Sequence, residues 1–138
     1  MPPTVANAPS LAHLADRIRQ ALPDVMAVYA FGSRIEGTHR DDSDLDLAVL
    51  VAGYADPIQL WQLAQDLSGL TQSAVDLLDL RAASTVMQHQ ILTKGIRLHG
   101  REPEASLFEC YVMAEKNDLD DARRHLLNDI ADRGSVYG

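Results

Sequence analysis

The sequence predicts an α/β domain in which short apolar strands alternate with amphipathic helices, closed by a helical tail. Three observations predict it. Val25–Phe31 is an apolar, β-branched and aromatic run that stops abruptly at Gly32-Ser33, as a strand buried on both faces would. Two further short runs, Asp44–Val51 and Ala74–Leu78, are apolar segments interrupted by aspartates. The stretches between and around them carry apolar residues at helical spacing. The chain has 138 residues, enough for one domain with a real core and too few for two ordinary ones. We therefore expect one domain over 1–138, with a compact core over about 10–100 and a helical tail over 102–132.

The elements follow in order. Residues 1–9 hold three prolines and no periodicity, which predicts a mobile lead. Ser10 caps a helix in which Leu11, Leu14, Ala15, Ile18 and Leu22 recur, and Pro23 ends it. After the Val25–Phe31 strand, Gly32-Ser33 turns the chain; a helical turn, if Ser33 opens one, would favour an anion there. Gly37 then lets the loop from Arg34 to Ser43 double back. In the strand Asp44–Val51, Asp44, Asp46, Ala48 and Leu50 share one face, and Leu45, Leu47, Val49 and Val51 the other. Gly53 breaks it. Asp56-Pro57-Ile58-Gln59 starts a helix whose stripe is Leu60, Leu63, Ala64, Leu67 and Leu70, flanked by Trp61 as a core or partner contact.

The third strand sets Asp76 on the face opposite Val75 and Leu77, and Asp79 out of register with Asp76 as a cap or solvent group. Ala82–Lys94 is predicted helical, with Ala83, Val86, Met87, Gln90 and Ile91 inward, His89 on the solvent side, and Gly95 as a left-handed terminator. Ile96–His99 makes a short edge strand. Beyond Pro103 the tail is helical, with Phe108, Val112, Leu119, Ala122, Leu126 and Ile130 along a face interrupted by Glu115. Asn117-Asp118 marks a split into two helices, packing on the core is expected, and Arg133–Gly138 reads as an exposed arm.

Composition excludes some functions. Net charge is −8, from 12 Lys+Arg and 20 Asp+Glu, which disfavours direct nucleic-acid binding and points to a protein partner. No apolar run approaches a membrane span, and the N-terminus lacks the pattern of a signal peptide. The single cysteine, Cys110, cannot form an internal disulfide and suits a cytoplasmic protein. None of the five histidines has a second histidine or a cysteine three or four residues away, against a zinc site.

The chemistry concentrates in the Gly-Ser turn and the aspartates. Two carboxylates side by side on one strand face are costly unless a divalent cation supplies the missing charge, and Mg²⁺ prefers such oxygen ligands with substrate phosphates. Gly32 permits close approach of the backbone to a ligand, Ser33 adds a hydroxyl, and a guanidinium at Arg34 reaches for phosphate or pairs with Glu36. His39 and Arg40 sit in an exposed loop.

Gly32-Ser33, ten residues, then Asp44-x-Asp46 resembles the GSx10DxD pattern of the polymerase-β-like nucleotidyltransferases, and Asp76 matches the family's third carboxylate. Over roughly Leu22–Gly100 the order of elements looks like that of minimal nucleotidyltransferases, the antitoxins of HEPN-domain ribonucleases. The resemblance implies a small mixed sheet flanked by helices. It implies AMP transfer from ATP to a tyrosine of a cognate HEPN toxin, through two Mg²⁺ ions held by Asp44, Asp46 and Asp76. Asp76 is then also a candidate general base, and Gly32, Ser33 and Arg34, with Asp44 and Asp46, bind the nucleotide. Two other functions fit less well: an antitoxin that neutralises by binding alone, and a nucleotidyltransferase acting on an aminoglycoside-like small molecule. The latter usually needs a further helical domain.

Overall fold

The computed structural model describes residues 10–37 and 44–137, with side chains through Ile130. Its elements are α1 (Leu11–Ala21), β1 (Ala27–Phe31), α2 (Ser33–Glu36), β2 (Leu45–Leu50), α3 (Pro57–Thr71), β3 (Val75–Asp79), a 3₁₀ turn (Leu80–Ala82), α4 (Thr85–Lys94), β4 (Ile96–Gly100) and α5 (Glu104–Tyr137). The strands form one mixed sheet in the order β3-β2-β1-β4. The central strand β1 runs antiparallel to β2 and β4, while β2 and β3 are parallel.

The period-2 pattern of the strands decides which helices cover which face. On one face Val28, Ala30, Leu45, Leu47 and Val49 meet Leu14 and Ile18 of α1 and Leu63 and Leu67 of α3. On the other, Ala27, Tyr29, Ala48 and Leu50 meet Ile91 of α4 and Ala105, Phe108 and Val112 of α5. Both faces are covered, which is why β1 and β2 read as nearly continuous apolar runs. The caps sit where the sequence puts them. The Ser10 hydroxyl accepts from His13 N at 3.1 Å, and Asp56 accepts from Ile58 N at 3.0 Å with Pro57 in the first turn. Asp79 caps the 3₁₀ turn, accepting from Arg81 N at 3.1 Å and from Ala55 N at 2.9 Å.

Several details differ from expectation, each for a local reason. The helix expected from Ala82 begins at Thr85, because Ser84 caps it through Met87 N. The helix is seated with Gln88 and Ile91 inward, which leaves Val86, Met87 and Gln90 exposed. Gln88 is tolerated inside because its amide donates to Leu80 O at 3.0 Å. Gly95 is extended, with φ −85°, not left-handed. Glycine serves there because an added Cβ would lie 2.7 Å from Ala30 O of β1.

Trp61 is not core but 64 % exposed, and Leu70 lies at the margin of its stripe. The tail is one helix of 34 residues through Tyr137, neither split at Asn117-Asp118 nor ending in an arm at Arg133. Its backbone ladder runs past the split site because neither residue there forbids helical geometry. The tail packs only in part: Ala105, Phe108 and Val112 are buried, whereas Leu126, Leu127 and Ile130 are more than half exposed. His39 and Arg40 lie outside the described residues.

Candidate active site

The site is assembled where β1 ends. Gly32 follows its last residue with φ +86°, a conformation that side chains rarely adopt, and begins α2. The amides of Ile35 and Glu36 donate to Gly32 O at 3.1 and 3.0 Å. Those of Ser33 and Arg34, in the first turn of α2, have no partner among the described residues. Gly37, left-handed at φ +79°, turns the chain out of α2.

Pairing brings the acids to the same place. Phe31 is the register partner of Asp46 across β1 and β2, so Gly32 lies beside that carboxylate. A Cβ on Gly32 would collide with Asp46 Oδ2; the position is glycine because a carboxylate occupies the space. Asp46 and Asp76 are register partners across the parallel β2–β3 pair and therefore project from the same face. Asp44, just before β2, shares that face by alternation. Val75 and Leu77 pack into the opposite layer. Asp46 is half-buried, Asp44 and Asp76 exposed. Burial pushes the Asp46 carboxyl above its ordinary pKa, and the negative charges of Asp76 and then Asp44 push it further.

That electrostatic strain is the fit test for a cation, and these residues fit one. Their oxygens suit Mg²⁺, and a positive charge would relieve the repulsion that Asp46 feels. Among the described residues no three acidic, histidine or cysteine side chains close into a ready-made metal cage. Magnesium does not need one, since it is usually held by one or two carboxylates together with substrate phosphates.

Arg34 goes elsewhere. Its guanidinium donates to Ser73 Oγ at 3.2 Å and lines a hollow with Leu11, Leu14 and Thr71, on the α1/α3 side of the sheet. On the acidic side, a hollow of about 210 Å³ lies between Gly32, Glu36 and α4, where Lys94 supplies a positive charge. Lys94 carried no sequence signal beyond its place at a helix end.

A larger groove of about 590 Å³ runs along β3 past Val75, Asp76, Leu77 and Asp79, with the exposed side chains of Tyr54 and Trp61 on its other wall. No motif marks those aromatics. A further hollow of about 600 Å³, lined by Arg81, Gln88 and Phe108 among others, lies at the opposite end of the sheet and contains none of the aspartates of the site.

Comparison with known proteins matches residues 15–104 to the family described as polymerase beta, nucleotidyltransferase. The chain is 38 % identical over 113 residues to the protein adenylyltransferase MntA of Shewanella oneidensis, covering 82 % of this chain and 81 % of that one. It superposes on a crystal structure of a toxin–antitoxin with AMP-PNP at a TM-score of 0.76 and 35 % identity, covering 88 % of this chain and 99 % of that one. It also matches the complex of tri-AMPylated Shewanella oneidensis HEPN toxin with MNT antitoxin at a TM-score of 0.68 and 34 % identity, over 86 % of this chain and 92 % of that one. With the Gly-Ser turn, the Asp-x-Asp strand and the neighbouring Asp76 in one sheet, and with these matches, the chain belongs to the polymerase beta nucleotidyltransferase family.

Proposed function

We propose that this protein is a Mg²⁺-dependent protein adenylyltransferase that transfers AMP from ATP to a tyrosine of a cognate HEPN-domain ribonuclease toxin and so neutralises it in the cytoplasm. The observation that carries the reading is the in-register pair Asp46 and Asp76 beside Gly32. Further support is the 38 % identity to a protein adenylyltransferase and the likeness to antitoxins solved with an AMPylated HEPN toxin and with AMP-PNP.

In this reading the free amides of Ser33 and Arg34 and the Ser33 hydroxyl hold the terminal phosphates, and Arg34 contributes through its backbone. Asp44 and Asp46 would hold the nucleotide's Mg²⁺, and Asp76 would join them in holding a second. When bound, these ions would supply charge neutralisation at the phosphates and a lowered pKa at the attacking hydroxyl. The tyrosine oxygen forms a bond to the α-phosphorus, the bond from that phosphorus to the β-bridging oxygen breaks, and pyrophosphate leaves. Asp76 takes the phenolic proton. Little covalent work falls to the chain; positioning and charge do most of it. The added phosphate brings negative charge and bulk to the toxin's RNA site.

The test is mass spectrometry of the cognate toxin after incubation with this protein, ATP and Mg²⁺. One or more AMP additions are expected, lost on chelation and in Asp44→Asn. An unmodified toxin that is nonetheless inhibited would overturn the enzymatic reading in favour of neutralisation by binding.

A further inference from the structure

The groove beside Asp76 has the features of a polypeptide site. It is bounded by the outermost strand of the sheet, β3, which has β2 on one side and no strand on the other among the described residues. The hydrogen-bond phase of that strand can be read from its ends. Leu45 N donates to Ala74 O at 3.0 Å, so Ala74, Asp76 and Leu78 turn their backbone groups toward β2. Val75, Leu77 and Asp79 turn theirs outward. Val75 N is already used, donating to Ser68 Oγ at 2.9 Å. The carbonyl of Val75, both backbone groups of Leu77 and the N–H of Asp79 therefore face the groove without a backbone partner among the described residues. A run of outward donors and acceptors along a strand edge is the template for one further strand.

The side walls narrow the choice of occupant. Tyr54 is 73 % exposed and Trp61 64 % exposed, both lining the groove opposite β3. Large aromatics left in water at the rim of a groove are typical anchors for a partner's side chains. The charged residues lining it are Asp76 and Asp79, both acidic. A basic segment is thus favoured. Asp76 also borders the groove, on the sheet face opposite Leu77, so alternate side chains of an added strand would reach the aromatic wall and the acid that would receive the proton.

The geometry points to a docking groove for the acceptor: an extended, basic polypeptide segment that adds as a strand to the open edge of β3, packs against Tyr54 and Trp61, and delivers its tyrosine to Asp76. This deepens the proposed function and rests on it. The specificity it implies is one of backbone and flanking charge, with the aromatic wall supplying affinity.

The experiment uses the full chain and synthetic peptides of about eight residues, the length of an ordinary strand with flanks. One has a central tyrosine with arginine and lysine flanks, a second has aspartate flanks, and a third is the basic peptide with alternate backbone amides N-methylated. A fourth replaces tyrosine by phenylalanine and cannot react. The unreactive basic peptide should shift the Leu77 and Asp79 amide resonances, with or without ATP. AMP transfer to the N-methylated and acidic peptides should fall about tenfold or more, and Trp61→Ala should raise KM for the basic peptide about tenfold while KM for ATP stays within about twofold. Equal transfer to the N-methylated peptide would overturn the proposal. So would unmoved Leu77 and Asp79 resonances, a Trp61→Ala effect on ATP in place of the peptide, or transfer to the whole partner with none to any peptide. Because the resonance shifts need no turnover, peptide docking with no AMP transfer to peptide or partner would instead count against the adenylyltransferase reading.

Discussion

Asp46 is where the cost of the site falls. It is a partly buried carboxylate facing two others, and its pKa is raised by burial, then by Asp76 and Asp44. A group whose folded pKa lies above its unfolded value favours the fold below the unfolded pKa and loses that contribution as pH rises through the folded one. The metal-free protein should therefore become less stable, through this group, as pH rises from about 4 to neutrality. Asp46→Asn should melt a few degrees higher than the parent at pH 7 without Mg²⁺, the difference shrinking toward pH 4, as read by calorimetry. The same substitution, and Asp44→Asn, should lower AMP transfer by about 10²–10³-fold with the circular dichroism spectrum unchanged. Gly32→Ala combines left-handed strain with a clash against Asp46, and should cost about 1–3 kcal/mol in denaturant unfolding and weaken ATP binding.

These residues were the most legible part of the sequence, because a Gly-Ser turn and alternating aspartates impose their own geometry. Arg34 was not. Its neighbour Ser33 suggested a phosphate, but the direction of a long side chain leaving a four-residue helix depends on what stands nearby, and Ser73 is distant in sequence.

At the scale of elements, strand faces followed from period 2 and helix starts from Ser10 and Asp56, whereas α4 did not follow. Its inward polar residue, Gln88, satisfies carbonyls of the 3₁₀ turn, and no apolar periodicity signals such a role. The aromatic wall of Tyr54 and Trp61 escaped for a related reason: one residue lies in a loop and the other beside the apolar stripe. The attachment of α5 was equally hidden. The Tyr29 hydroxyl, buried in β1, donates to Glu109 Oε1 at 2.7 Å, and Arg97 of β4 reaches the same carboxylate at 3.3 Å. Burial, then the Glu109 carboxylate, raises the Tyr29 pKa, so the phenol stays a donor. Tyr29→Phe should cost about 1 kcal/mol in urea unfolding, with Glu109 still paired to Arg97.

At the scale of the whole molecule, the sheet and its first four helices form a unit to which only the start of α5 is bound. Ala105, Phe108 and Val112 are buried, and from Asn117 through Ile130 nearly every residue is exposed. A chain ending at Lys116 should keep its cooperative thermal transition within a few degrees of the parent, since exposed side chains contribute little. A drop of more than about 10 °C would mean that the distal helix supports the core in a way its exposure does not reveal. The start of the tail helix at Glu104 was foreseeable from Pro103. The tail's continuity was not, because Asn and Asp within a helix are only mildly unfavourable.

An unbroken rod of 34 residues, about 51 Å long, also acts as a protractor. Each residue advances it by about 1.5 Å and swings it through about 100°. The exposed leucines near its far end therefore hold a fixed bearing relative to the three aspartates. Shortening the shaft by a full turn would retract that bearing, while shortening it by half a turn would aim it at the opposite horizon.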